Sequence, residues 1–179
     1  MKQLFVLMLT GILICCTGST EDDVSEVQSG DFPDQESWNA SIIITREGKT
    51  VGLLEASHIK KYSSKNLTYI DDGLKVDFFN ENGEHTSVLT SEGGMVHDVK
   101  QDMIAYGNVV VVSDSGMTLY TDTLKWDNKR QKIISEIPVK ITSETDTING
   151  DSFISDPNLT NYTITNSRAT SSRRLNIDQ

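Results

Sequence analysis

The chain has 179 residues and carries 16 Lys and Arg against 26 Asp and Glu, a net charge of −10. That length fits one domain with a modest core. The acidic balance argues against a nucleic-acid binder and against a polybasic membrane patch, since each needs a basic face.

The chain opens with "MKQLFVLMLTGILICC". Lys2 supplies a short positive start, and Leu4 to Ile14 is an apolar run of signal-peptide length. A spanning helix needs roughly 20 apolar residues, so this run is too short to be one. "Leu13-Ile14-Cys15-Cys16" resembles a bacterial lipobox. Residues 1–15 therefore read as a lipoprotein signal peptide, with Cys16 as the lipidated residue and Cys15 as the alternative. No other cysteine exists, so no disulfide staples the domain. Residues 16–37, "CTGSTEDDVSEVQSGDFPDQES", are acidic and rich in Ser and Gly, the composition of a flexible tether.

From residue 38 to residue 165 the pattern is short strands broken by turns. "ASIIITREGKTVGLLEA" is a hairpin with Glu47-Gly48 at its turn. "EASHIKKYS" continues as strand in preference to a turn of helix. In "LKVDFFNENGEHTSVLTS", Leu74, Val76 and Phe78 alternate, and Asn82-Gly83 marks the reversal. "MIAYGNVVVVSDSGMTLYTDTL" is a third hairpin, and "KIISEIPVKITS" and "TINGDSFISD" complete the set. No long apolar stripe of helical period occurs.

A loose internal repeat runs through these strands. Ala56, Ser91, Thr121 and Gly150 each stand at the end of a strand, at steps of 35, 30 and 29 residues. The alternation also slips phase between Leu119 and Leu124, which predicts a bulge or corner near Thr121-Asp122. Corners of this kind curl a ribbon into a jelly roll. Residues 166–179, "NSRATSSRRLNIDQ", are polar without apolar period and are expected to be a disordered tail.

The search for chemistry returns little. His58, His85 and His97 lie 27 and 12 residues apart with no nearby Cys and no HExxH spacing, so they read as surface histidines and no metal site is expected. No nucleophile elbow and no phosphate-binding loop is present, and no motif implies a cofactor. The expectation is a protein that is not an enzyme. Binding is what remains. Val109 to Val112 is apolar on both faces, as a strand is when it is wholly buried or lines an apolar space.

"AYGNVVV", "GMTLYTDTLKWD" and "KRQKIIS" resemble the repeat of the OstA/LptA-type β-jelly roll. Together with "REGK", "GLLEASHIKKY", "GLKVDFFNENGE", "LTSEGG" and "INGDSFISDPNLTNYTI", in that order from Ser41 to Ile164, they resemble the LptC family of the lipopolysaccharide exporter. The resemblance implies an all-β, twisted, open jelly roll, two antiparallel sheets folded around an apolar cleft. It also implies a periplasmic role at the inner membrane of a Gram-negative cell. Lipopolysaccharide would be received from the inner-membrane transporter LptB2FG, whose LptF and LptG carry a periplasmic jelly roll, and passed to an LptA-like protein. Two departures stand out. Many relatives are anchored by a transmembrane helix where this chain shows a lipobox, and Ser143 stands where many carry a glycine.

By alternation, Val76, Phe78, Val111, Leu119, Leu124, Trp126, Val139 and Ile141 are the candidates for the cleft that would take the acyl chains. Ile42, Ile43 and Gly48 at the first edge, and Phe153, Tyr162, Thr163 and Ile164 at the last, are the candidates for partner-facing strands. The rival expectation is a lipid-anchored β-sandwich that scaffolds or adheres, with a filled core and no lipid ligand.

Overall fold

A computed structural model describes residues 32–156, 159 and 161–172. The signal peptide, Cys15 and Cys16, most of the 16–37 tether and the last seven residues lie outside the described residues. Within them there are thirteen antiparallel strands, and one short 3-10 turn at Ser63–Lys65.

Five strands are long: β1 (Gln35–Arg46), β2 (Lys49–Tyr62), β3 (Leu67–Phe79), β6 (Asp102–Ser113) and β7 (Thr118–Asp127). The others are short: β4 (His85–Ser91), β5 (Gly93–His97), β8 (Lys132–Ser135), β9 (Val139–Thr142), β10 (Asp146–Gly150), β11 (Ser152–Ser155), β12 (Tyr162–Thr165) and β13 (Arg168–Ser171). Each long strand serves two sheets. β3 pairs with β4 through Leu74–Phe79 and with β5 through Leu67–Ile70. β7 pairs with β9 through Thr118–Tyr120 and with β8 through Lys125–Asp127. The result is sheet I, in the order β1-β2-β3-β4-β6-β7-β9-β10-β13, and sheet II, in the order β1-β2-β3-β5-β6-β7-β8-β11-β12.

The strands change sheet along one line. Asn39 of β1 has φ +52 there, and Asp72 and Gly73 together stand opposite the single Ser57, one residue more than the ladder needs. Gly107-Asn108 does the same opposite Asp122. Glu92, between β4 and β5, ties two of these bends together. Its carbonyl accepts from the Gly73 amide, its own amide donates to the Gly107 carbonyl, and its carboxylate accepts from the Asn108 side chain. Gly107 sits at φ +75 with Glu92 packed where a side chain would go, so both conformation and space require glycine. The four repeat positions Ala56, Ser91, Thr121 and Gly150 are all buried beside this line. The corner near Thr121-Asp122 is therefore where the alternation placed it, but the extra residue lies on the opposite strand, at Gly107-Asn108. A slip in one strand's phase marks a break in pairing and does not say which partner carries the insertion.

Three turns match their sequence signals. Glu47 and Gly48 both have positive φ, +51 and +78, the twist that suits a two-residue hairpin. Gly83 at φ +81 and Gly116 at φ +86 close the β3–β4 and β6–β7 hairpins. Two boundaries differ from expectation. β1 begins at Gln35, three residues inside the expected tether. The polar tail is not disordered throughout, because Arg168–Ser171 pairs with Asp146–Asn149 as the last strand of sheet I. "Arg-Ala-Thr-Ser" has no apolar alternation because backbone bonds, not burial, hold it there.

Candidate functional site

Register places the apolar residues in rows that cross the sheets. In sheet I one row runs Ile42–Leu54–Val76–Leu89–Val111–Leu119–Ile141–Ile148–Ala169, each pair directly opposite the next. All nine strands contribute, and all nine residues are apolar. In sheet II a row starts Ser37–Ile59–Ile70–Gly94–Ala105–Leu124 and continues as Ser135–Phe153–Ile164. Successive residues of a strand face opposite sides, so residues in one row share a face. These two rows meet inside, where Ala56, Val76, Val109, Leu119 and Ile141 of sheet I join Ile70, Leu124 and Phe153 of sheet II in one buried cluster.

The cleft candidates divide. Val76, Val111, Leu119, Leu124, Val139 and Ile141 are buried in that cluster, and Phe78 packs half-buried against it. Trp126 stands apart. It lies in the second row of sheet II, Met103–Trp126–Ile133, further from the corner. Its indole meets the guanidinium of Arg46, at the tip of β1, with Cζ 5.7 Å from the ring centroid. The core residues close on one another near the corner. A half-buried rim surrounds them, made of Ile44, Leu54, Ile59, Phe78, Met117, Ile133, Ile148 and Ile164. Apart from Phe78, the expected cleft set omitted this rim. Its parity was readable, since Ile44 and Leu54 alternate in step with the buried rows, but depth below the surface was not.

The edges also need sorting. β1 pairs only with β2, and β12 and β13 pair only with β11 and β10, so both ends of each sheet are open. Arg46 and Lys49 flank a two-residue turn and are opposite each other. Such a flanking pair exchanges both backbone bonds, so Ile44 and Ile42 likewise turn theirs toward β2, and Thr45, Ile43 and Ser41 turn theirs outward. Ile43 therefore belongs at the free edge, and its side chain is 64% exposed. At the other end the Asp156 amide donates to the Asn161 carbonyl. By alternation Thr163 faces β11 too, and Tyr162 and Ile164 present their backbone groups outward. Phe153 was expected at this edge and is not there. It lies between β8 and β12 and is 1% exposed, because its parity points it into the core.

The outer faces are laced with ion pairs. Lys60 meets Asp71 at 3.0 Å and Lys75 meets Asp77 at 2.7 Å. The hydrogen bond to each carboxylate raises that lysine above its ordinary pKa. The three histidines are dispersed. His85 sits between Asp114 and Asp77, at 2.7 and 3.5 Å, His58 stacks on Trp38, and the His97 ring accepts from the Lys100 amide. An open groove of about 790 Å³ lies along the corner, lined by Asn108, Asp122, Lys140, Asp151 and Arg168 among others. Val109, Val110, Tyr120, Pro138 and Val139 also line it, so its surface mixes polar and apolar groups.

Two antiparallel sheets, joined strand by strand at one corner and open at both ends, define a protein of the LptA-like β-jelly-roll class. Among solved structures the chain is similar to LptH, described as the LptA homologous periplasmic component of the conserved lipopolysaccharide transport device from Pseudomonas aeruginosa. The identity is 11%, the TM-score 0.50, and the match covers 63% of this chain and 80% of that one. Among curated proteins none matches. The family model described as "Lipopolysaccharide-assembly, LptC-related" matches residues 5–166, and the chain belongs to that family. Its role lies in lipopolysaccharide transport.

Proposed function

We propose that this protein is a non-enzymatic carrier, one that accepts lipopolysaccharide from an inner-membrane ABC transporter of the LptB2FG kind and passes it to an LptA-like bridge protein. It works in the periplasm, held at the inner membrane by a lipid on Cys16, with Cys15 the alternative. The observation that carries the reading is the in-register apolar row of sheet I, which crosses from one free edge to the other without a polar interruption. A row that continues to both edges continues into whatever jelly roll docks there.

The chemistry is burial. At about 0.8 kcal/mol per methylene, a chain of about twelve is worth roughly 10 kcal/mol gross, and the net is far smaller after ordering costs. The core is closed near the corner, so acyl chains enter along the rim of Ile44, Leu54 and Phe78 and part the sheets from there. The acidic surface keeps lipid phosphates at the rim and out of the interior.

Photo-crosslinking in cells tests this. A photoreactive residue at Ile44, Phe78 or Leu119 is expected to capture lipopolysaccharide, and one at Lys129 or Arg130, on the β7–β8 turn, is not. Equal labelling of both groups would overturn the reading. In the same cells, Cys16→Ala is expected to leave the chain uncleaved or free of the membrane. Unchanged membrane association in both Cys16→Ala and Cys15→Ala proteins would remove the lipid anchor from the proposal.

A further inference from the structure

The following rests on the carrier reading and adds a residue to it. We propose that Arg46 is the group that receives a phosphate of the incoming acylated lipid, exchanging its contact with Trp126 for that phosphate.

Four observations converge on Arg46. By strand alternation it shares a face with Ile44 and Ile42, so one strand carries apolar residues and then, at its tip, a cation. An amphiphile with acyl chains and an anionic head has that same order. Second, its partner is a ring and not a carboxylate: the guanidinium lies over Trp126 at 5.7 Å. Lys60, Lys61, Lys75 and Arg130 by contrast each sit against an Asp, and the other two cations over rings, Lys65 on Tyr62 and Lys140 on Tyr120, meet a near neighbour in sequence or on the adjacent strand. Third, Lys49 stands directly opposite on β2, so the tip holds two cations beside the single Glu47. In a chain of net charge −10, that is a local reversal of sign at the rim of the apolar rows. Fourth, Arg46 belongs to sheet I and Trp126 to sheet II, so the contact crosses the space between the sheets that a lipid must enter.

The exchange is favourable in direction. An exposed guanidinium over a half-buried ring makes a modest electrostatic contact. The same planar fork meets a phosphate through paired, charge-assisted hydrogen bonds, which are stronger. Once the arginine has left, the indole is free to lie against an acyl chain. The clasp thus holds the two sheets together when no lipid is present and opens toward the ligand's own charge.

The test uses the full chain in lipid nanodiscs. The sequence has two tryptophans, so a Trp38→Phe background makes Trp126 the sole emitter. The probes are lipopolysaccharide, the same material chemically dephosphorylated, and inorganic phosphate. Lipopolysaccharide is expected to shift Trp126 emission, and Arg46→Ala to raise its apparent Kd about tenfold, the scale of one charge-assisted pair. Dephosphorylated lipid is expected to bind the parent and Arg46→Ala about equally, and Arg46→Lys to regain part of the loss. If Arg46→Ala weakens both lipids alike, or neither, Arg46 reads no phosphate and the inference falls. If inorganic phosphate alone reproduces the shift at similar concentration, the tip is a bare anion site and the lipid assignment falls. If neither lipid binds the parent protein, the carrier reading itself fails, and this inference with it.

Discussion

The two free ends of the molecule are built differently. At the N-terminal end one strand of twelve residues, β1, forms the edge of both sheets. It exposes Trp38, Ile42 and Ile43, and Trp38 stacks on His58 with ring centroids 4.9 Å apart. At the C-terminal end two separate strands of four residues share the task, with Asn166 at φ +50 between them. Thr163, Thr165, Arg168, Thr170 and Ser171 face solvent there. The interior differs in the same sense. Phe153 and Leu159 fill the C-terminal end, and Tyr162 stacks on Phe153. At the N-terminal end the apolar row runs out to a half-exposed Ile42.

An unprotected edge invites pairing, and proteins usually blunt edges by shortening, breaking or charging them. The C-terminal edge is short, broken and polar, and the N-terminal edge is long and apolar. Long-lived interfaces are larger and more hydrophobic than transient ones. The N-terminal edge thus suits a stable docking partner and an open entry for lipid. The C-terminal edge suits a partner that comes and goes.

The most damaging way to break this asymmetry is to destroy one end alone. Gly150 closes β10, and a Cβ on it would collide with Ile164 Cγ2 and lie 3.0 Å from the Thr165 carbonyl oxygen. Neither is the far end of a flexible chain. Gly150→Val is expected to expel β12, at a cost of about 3 kcal/mol or more. Hydrogen exchange should show lost protection in β11 and β12 and retained protection in β1 and β2. Loss spread evenly over both ends would mean that they are not independent.

At the other end, Ile43→Pro removes an outward amide and leaves the β1–β2 bonds in place. Each strand-to-strand bond contributes about 0.5–1.5 kcal/mol net, and losing register along twelve residues removes several. Pull-down of the transporter's periplasmic jelly roll is expected to fall about a hundredfold, equivalent to about 3 kcal/mol. Circular dichroism should show the sheet intact. Normal binding by a folded variant would show that this edge is not the docking strand.

Gly48→Val acts on the same end more gently. The position needs φ +78, but nothing lies within 4 Å of an added Cβ, so the cost is conformational alone. It is expected to be about 1–2 kcal/mol, the penalty of left-handed backbone for an L-residue. A fall in Tm with docking weakened less than in Ile43→Pro would fit. An unchanged Tm would show that the hairpin tip refolds around the valine.

Much of this architecture was legible in the residues. Period-two alternation located the strands, Glu47-Gly48 and Asn82-Gly83 located hairpin turns, and the phase slip placed one corner near Thr121-Asp122, whereas the repeat positions Ala56 and Thr121, expected at strand ends, lie inside β2 and β7. What escaped detection was set by partners distant in sequence. Arg168–Ser171 becomes a strand only because β10 offers it a free edge. Phe153 looks like an edge residue until β12 folds outside it. The Arg46–Trp126 contact joins positions 80 residues apart in different sheets, and neither residue's neighbours announce it.

The smallest effect separates two prolines one residue apart. Alternation from the Asp156–Asn161 bond turns the Thr163 amide toward β11 and the Tyr162 amide toward solvent. Tyr162→Pro therefore removes a donor that only a partner would use, and β12 keeps its own bonds. Thr163→Pro removes a bond inside the domain and frays β12 itself. Docking to an LptA-like protein is expected to weaken about tenfold in Tyr162→Pro, near the upper value of one backbone hydrogen bond. Because the change also removes the stacking on Phe153, Tyr162→Ala is the control, and it is expected to retain most of the binding. In Thr163→Pro the expected order is reversed, with protection of β11 lost first and docking lost as a consequence. If Tyr162→Ala binds as poorly as Tyr162→Pro, the side chain and not the strand edge makes the contact. The C-terminal end would then recognise its partner by a different physical means from the N-terminal one.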